Sequence, residues 1–506
     1  MKIITFYLPQ FHQIPENDEW WGEGFTEWTA VKQAEPLFEG HYQPRIPLYG
    51  DYYNLLDKRV MESQSALMKK YGVFGQCFYH YYFKDGKQVL QKPAENLLAW
   101  TDIDMPFCFS WANDAWVRSW SAVKGNGFDW APKFAKNRLK DNVLLEQDYG
   151  CEADWKKHFY YLLPFFRDKR YIKIEGKPVF LIYHPAFIPC LEEMICYWKK
   201  LSQKEGMEGM YIIGANWNEA QMPFLDALYC HAPSSLFGVT QKVFNGGCHT
   251  MNYDELWRNI LSEMPCGSQK LYYGGFVDFD DSPRRGNDGR ALIDVSPVKF
   301  EMYLKQLLKK SEVYGNEYVF LNAWNEWGEG MYLEPDERYG TSYLEAVSNA
   351  LSSYSKTTLF APQTFLKEKI LKRKLDRYKD YWQLFDMWLF LKERNIFPTK
   401  YLVDKGVKTV AVYGMGMVAQ HLLTELEQQN FCISCIIDRK EGLRYKTVPV
   451  VTLEDAIFYD CDAVIVTVEY DYDEIKKMLK NRTNFHIFSL YAIVQSVYNS
   501  LSAEKD

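Results

Sequence analysis

The chain has 506 residues and carries 59 Lys and Arg against 66 Asp and Glu, a formal charge of −7 with a pI near 5.8. That balance argues against nucleic acid as the main partner, and the length exceeds one ordinary domain and implies two or three. Hydrophobic residues, 47% of the chain, suffice for large cores, and aromatic residues at 17% supply flat faces that stack on pyranose rings as well as core bulk.

The opening stretch "MKIITFYLPQ" reads as a strand and lacks the basic, apolar and small-residue segments of a signal peptide. No apolar run reaches the roughly 18 residues of a membrane span. Eleven cysteines without a regular framework suit a reducing compartment. A cytoplasmic protein is therefore expected, acting at the inner face of the membrane if its partner is lipid-linked. The one Cys-x-x-Cys, Cys432 and Cys435, falls in the strand-like "FCISCIID", where the two side chains point to opposite faces.

Eight apolar runs of strand length follow in series: "IITFYLP" from 3, "GVFGQCFYHYY" from 72, "MPFCFSWA" from 105, "KPVFLIYH" from 177, "MYIIGANW" from 210, "ALYCHAP" from 227, "LYYGGFVDF" from 271 and "EYVFLNAW" from 317. Runs apolar on both faces are typical of parallel strands covered by helices, and about eight in series predict a (β/α)8 TIM-like barrel. Such a barrel does its chemistry where strands end. Polar groups collect there: Gln10 and His12, Tyr79 and His80, Asn113 and Asp114, Tyr183 and His184, Asn216 and Asn218, His231, Asp278 and Asp280, and Asn325 and Glu326.

The last run closes on "NAWNEWGEGMYLEP", which sets Glu326 and Glu329 three residues apart among tryptophans. Work on a glycosidic bond needs two carboxyls in different environments, one protonated and one ionised. Trp324 and Trp327 are the expected apolar wall. The alternative is a pair of exposed loop glutamates.

"FYLPQFHQIPENDEWWGEGFTEWTAV", "GVFGQCFYHYYF", "FSWANDAWVRSW", "GKPVFLIYHP", "DFDDSPRRG" and "AWNEWGEG…LEPD" resemble, in order, the blocks of the WbsX-type family of bacterial polysaccharide clusters, which is similar to glycoside hydrolase family 99. The likeness spans roughly residues 1–350. It implies a (β/α)8 barrel acting on α-linked, mannose- or glucose-like glycans with retention, without a metal or diffusible cofactor. It assigns to Glu326 assistance of the sugar's own 2-hydroxyl, giving a 1,2-anhydro sugar, and to Glu329 protonation of the leaving oxygen. By the same likeness Tyr7, Gln10, Trp20, Trp21, Glu27, Trp28, Tyr79, His80, Tyr82, Trp111, Asn113, Asp114, Trp116, Tyr183, Asp280, Asn325 and the two motif tryptophans belong to the sugar cleft, and Asn216 joins them by its place at a strand end. The third block departs from the family's Asn-Glu-Asn-Trp-Thr-Arg-Arg-Trp, having Asp114, Ala115, Val117 and Ser119 beside the retained Asn113, Trp116, Arg118 and Trp120, which bears on sugar preference. Arg284 and Arg285 either bind an anionic group on the substrate through forked hydrogen bonds or pair with Asp278, Asp280 or Asp281.

Beyond the barrel domain, placed at 1–355, a helical connector is expected over 356–405. Its stretch 366–395 is basic in its first half and aromatic in its second, suiting either an anionic membrane surface, as peripheral association, or packing on the barrel. Residues 406–506 spell strand, glycine turn, helix and strand, a small Rossmann-like parallel α/β domain. Gly414 and Gly416 open a G-x-G-x-x-A fingerprint, and Asp438 stands where a ribose hydroxyl would be held. A nucleotide or nucleotide-sugar there, or an interaction role, are both open.

Three functions fit this sequence. One is a retaining glycan-active enzyme of surface-polysaccharide biosynthesis working on an oligosaccharide or lipid-linked glycan. The second is a glycosyltransferase using a nucleotide-sugar donor, and the third an inactive carbohydrate-binding or scaffold protein.

Overall fold

Each of the eight runs forms a strand in the computed structural model, which describes residues 1–117, 143–215, 224–237, 240, 242–245, 248–263, 269–359, 364–438, 445–456, 459–469, 472–480 and 485–502. They are β1 (Lys2–Tyr7), β2 (Val73–Tyr82), β3 (Phe107–Trp111), β4 (Lys177–Ile182), β5 (Tyr211–Gly214), β6 (Ala227–Tyr229), β7 in two pieces (Leu271–Tyr272 and Gly274–Phe276) and β8 (Tyr318–Asn322). Consecutive strands pair in parallel. The first piece of β7 binds β6, the second binds β8, and β8 returns to β1. The sheet therefore closes on itself as a (β/α)8 barrel and leaves no edge to cap.

Helices cover it. α1 (Pro15–Trp21), α2 (Glu27–Gln33) and α3 (Lys58–Tyr71) lie between β1 and β2, and α4 (Lys92–Ala99), α5 (Glu152–Arg167) and α6 (Leu191–Lys204) follow β2, β3 and β4. α7 (Tyr253–Ser262) precedes β7, α8 (Ser282–Arg285) and α9 (Pro297–Val313) precede β8, and α10 (Ser342–Ser353) follows it. α3 shows why they form: Asp57 caps it by accepting from Arg59 N–H, and Met61, Gln64, Ser65, Met68 and Tyr71 line its buried face at helical spacing. Inside the barrel, Phe6, Tyr229 and Phe320 meet at ring distances of 5.1–6.1 Å.

The chain divides into units Met1–Leu366 and Lys367–Asp506. The second holds β9 (Thr409–Tyr413), β10 (Cys432–Ile437), β11 (Val450–Val451), β12 (Ala463–Val466) and β13 (His486–Ser489), all parallel, in the order β11-β10-β9-β12-β13. That 3-2-1-4-5 order is the order of the first five strands of a six-stranded doubly wound parallel sheet. α11 (Thr364–Lys392), α12 (Lys400–Asp404), α13 (Met417–Gln428), α14 (Leu453–Ala456), α15 (Tyr472–Lys480) and α16 (Leu490–Ser502) complete the second part of the chain.

The second half of the predicted connector's long helix contributes to the core of the second unit. Leu384, Trp388 and Leu391 of α11 share a buried core with Leu402, Val410 and Leu422, and Trp388 Nε1 donates to the buried Glu425 at 2.7 Å. Apolar side chains at that spacing join the nearest core, here the small sheet. Cys432 is exposed and Cys435 buried, as strand alternation requires, and every described cysteine is free. Among the described residues no helix is long and apolar enough to cross a membrane.

Candidate functional site

The loops leaving β1, β7 and β8 bring three carboxylates onto one guanidinium. Arg284, on α8, donates from Nε to Glu27 Oε1 at 2.7 Å, from Nη1 to Glu329 Oε1 at 2.5 Å and from Nη2 to Glu326 Oε2 at 3.0 Å. Glu27 opens α2, where its own N–H donates to the Gln10 carbonyl at 3.1 Å. The side chains of Glu27 and Glu326 are 4% and 7% exposed and that of Glu329 is 29%, so the two motif carboxylates sit in different surroundings. Burial pushes Glu326 up to about 8, and the charges of Glu329 and Glu27 add to that push against the pull of Arg284. The approach is so close that a Cβ at Gly328 would stand 1.8 Å from Glu27 Oε1 and 2.9 Å from Arg284 Nε, so any side chain there displaces the Glu27 carboxylate.

Arg284 does not pair with the aspartates of its own loop. Arg45 takes Asp278 at 2.9 Å, and Arg285 takes Asp281 at 3.1 Å. Asp280 accepts from His41 Nε2 (2.8 Å), Gln43 Nε2 (2.6 Å), and the N–H (3.1 Å) and hydroxyl (2.6 Å) of Ser282. Burial would raise that carboxyl, but His41 and Arg45 hold it below the usual range. Asp280 thus braces the loop and is 1% exposed, not a group that reaches sugar. Arg284 and Arg285 are successive residues of one helical turn, so only one of them faces inward. Each nitrogen of Arg284 already meets a carboxylate, so its charge is spent within the cluster, and only one N–H on each Nη remains beyond these bonds.

Tyrosines line the mouth beside the cluster. Tyr79 and Tyr81, both on β2, are raised by burial; the charges of Glu326 and Glu329 add to this at Tyr79, and those of Glu326 and Glu27 at Tyr81. Tyr183 stands against Tyr79 at 6.1 Å and His231 at 5.0 Å. Trp116 packs edge-on to Trp20 (5.7 Å) and Tyr81 (5.2 Å), forming with Trp21 and Phe25 a buried aromatic cluster drawn from the first three sequence blocks. Half-buried Asp114 accepts from His184 Nδ1 at 2.7 Å on the same rim. Gln10 is half-buried beside Glu27.

Other expected cleft residues lie elsewhere. His80 and Tyr82 point outward, because strand residues alternate and Tyr79 points in. His80 Nε2 meets His158 Nε2 of α5 at 2.8 Å, and Tyr82 stacks on the His158 ring at 3.8 Å. Trp111 shares that outer layer, donating to the Tyr82 carbonyl at 3.0 Å and meeting His158 edge-on at 4.9 Å. Tyr7, fully buried, donates to Gln64 at 2.7 Å. Trp324 and Trp327 are 0% and 1% exposed and present no wall to a sugar. Their indole N–H groups donate to Glu334 at 3.0 and 2.7 Å, and Tyr53 and Gln64 each add a hydrogen bond of 2.7 Å. Trp28 packs between Phe11 and Trp327 and donates to the Tyr53 carbonyl. Asn113 accepts from His184 N–H (2.7 Å) and donates to its carbonyl (2.8 Å), while Asn325 does the same to Leu8 (2.7 and 3.0 Å). Both tie neighbouring strand ends. Asn216, Asn218, Arg118, Ser119 and Trp120 lie outside the described residues.

Sequence reasoning missed Tyr81 and Glu334. Alternation from Tyr79 could have found Tyr81. Glu334 was visible only as the acid of "LEPD"; burial pushes it up to about 7 against four donated hydrogen bonds, making it the support beneath the motif tryptophans.

In the second unit, Asp438 does not stand free for a ribose. Its Oδ2 accepts from Met415 N–H at 2.7 Å, inside the glycine turn it was expected to face. Gly414 has φ +94°, and a Cβ there would lie 2.8 Å from Thr467 Oγ1. Gly416 caps α13 in extended conformation.

A closed barrel with three carboxylates gathered on one arginine at its mouth is the class of molecule that fold and site define. The family model described as glycosyltransferase WbsX matches residues 3–347, and the chain belongs to that family. Residues 406–486 match a second model, C2185-like, N-terminal. Two curated relatives, each an uncharacterized protein WxcX from Xanthomonas campestris pv. campestris (strains B100 and ATCC 33913), are 34% identical over 363 residues, covering 69% of this chain and 49% of theirs. The chain thus spans about half the length of the curated relatives it matches. Among solved structures it is similar to the GH99 endo-alpha-mannosidase from Bacteroides thetaiotaomicron, with a TM-score of 0.44 and 14% identity over 70% of this chain and 97% of that one.

Proposed function

We propose that the protein is a retaining glycan-active enzyme of bacterial surface-polysaccharide biosynthesis, working on α-linked mannose- or glucose-like bonds through Glu326 and Glu329. The observation that carries this reading is the sharing of one guanidinium by two carboxylates of unequal burial at the end of the last barrel strand.

In the proposed reaction Glu326 takes the 2-hydroxyl proton as O2 attacks the anomeric carbon, and Glu329 gives its proton to the departing oxygen. The 1,2-anhydro sugar is then opened at the anomeric carbon by a hydroxyl that Glu329 deprotonates, and Glu326 returns its proton to O2. Two inversions give retention. Water as the incoming hydroxyl makes this a hydrolase, and a sugar hydroxyl makes it a transferase. Burial favours a proton on Glu326 in the free site, so substrate binding must pass that proton to Glu329, leaving Glu326 as the base and Glu329 as the acid. Arg284, bonded to both carboxylates, steadies the pair while the proton changes hands.

The description of the family as glycosyltransferases favours a second reading, transfer from a nucleotide-sugar donor. In that reading the glycine turn at Gly414 and Gly416 is the donor site to examine, and Asp438 must leave Met415 to reach a ribose.

One experiment separates them. Wild type and Glu329→Gln are incubated with lipid-linked oligosaccharides, with and without nucleotide sugars, and masses are followed. Loss or exchange of sugar without a donor, abolished in the variant, supports the retaining reading; gain only with a nucleotide donor supports the second. Dinitrophenyl α-glycosides, whose leaving group needs no proton, should restore Glu329→Gln but not Glu326→Gln. A fully active Glu329→Gln on the natural glycan removes Glu329 as the acid.

A further inference from the structure

α11 buries one face and leaves another bare. Leu384, Trp388 and Leu391 are at most 3% exposed, whereas Tyr378, Trp382 and Leu389 are 68%, 68% and 60% exposed. At about 100° per residue these last three fall within an arc of about 40°, a single stripe along the helix. Tyrosine and tryptophan, apolar in body and polar at one edge, settle at the boundary between lipid and water.

Charge identifies what covers the stripe. Residues 367–379, in the first half of the same helix, hold seven Lys or Arg against Glu368 and Asp376, a net +5 in a chain of net −7. The rest of the protein, at −12, is repelled by an anionic surface, so one helix sets the orientation of approach. We propose that α11 docks the protein on an anionic lipid surface, its basic half drawn to the headgroups and the Tyr378–Trp382–Leu389 stripe entering the interface. The inference is independent of what the barrel does to a glycan.

The test uses the full chain and sedimentation with vesicles of phosphatidylcholine, either alone or with about 30 mol % phosphatidylglycerol. Expected is at least about tenfold stronger partition onto the anionic vesicles, lost on raising NaCl from about 0.1 M to about 0.5 M. Trp382→Ser/Leu389→Ser, and separately Lys372→Glu/Arg373→Glu/Lys374→Glu, should each weaken partition by about tenfold or more at unchanged circular dichroism and melting temperature. Equal partition onto neutral vesicles overturns the proposal, as does undiminished partition in either variant. So does a dimer, seen by sedimentation velocity, that the stripe variant dissolves while vesicle binding stays the same.

Discussion

Replacing Arg284 with Met removes the one cation that three carboxylates share and leaves everything else in place. Glu27 and Glu326 are almost wholly buried, and the third partner, Glu329, is 29% exposed. Two like charges about 5 Å apart repel by about 3 kcal/mol at an effective dielectric of about 20, so the cluster without its arginine must take up protons or come apart. Breaking a buried pair by deleting one partner typically costs about 3–5 kcal/mol. For a 366-residue unit, an unfolding entropy of about 2.1 cal/mol/K per residue turns about 4 kcal/mol into a fall of about 5 °C in Tm. The sign of the pH dependence follows from the protons. Carboxylates raised in the folded state hold protons that the unfolded chain releases above their ordinary range, so stability falls as pH rises through that window, and more steeply without Arg284. Scanning fluorimetry from pH 5 to 9 checks it: the deficit of Arg284→Met should be small at pH 5 and largest near pH 9. A deficit independent of pH would refute the reasoning, and Arg284→Met/Glu27→Gln should recover part of the loss at high pH.

Wild-type stability should itself fall as pH rises from the ordinary Glu value of 4.5 through about 8, since folded Glu326 keeps a proton that the unfolded chain gives up; Glu326→Gln should flatten that slope, and parallel curves would remove Glu326 as its source. Gly328→Ala must drive Glu27 off Arg284; denaturant unfolding should show a loss of about 3 kcal/mol, and glycan turnover should drop by about a hundredfold or more. Tyr81→Phe should slow turnover by about tenfold while moving Tm little, and Tyr82→Phe, on the α5 side, should leave the rate unchanged; equal effects would sink the assignment of faces.

The barrel was legible because burial on both faces writes itself as continuous apolar runs, and all eight became strands. The Glu326–Glu329 spacing likewise marked the mouth. What stayed hidden was which way side chains turn. Tyr79 and His80 are neighbours in the sequence but face opposite sides of one strand, and Trp324 and Trp327, read as walls of the cleft, point down to Glu334. The true partners of Arg284 lie 257, 42 and 45 residues away, and no local pattern encodes a meeting of three separate loops. Asp438 sat at the expected distance from the glycine turn, but proximity to that turn served the turn itself.

Asn113 and Asn325 each offer a carbonyl and an NH2 to the main chain of the next strand, standing in for one more peptide unit beyond the last regular pair. Hydrolysis of either amide to a carboxylate would exchange a donor for an anion facing the carbonyl of His184 or Leu8. Such a change would part the staves at this rim while the aromatic interior below stayed packed. Full burial of both amides keeps water from them and preserves the tie.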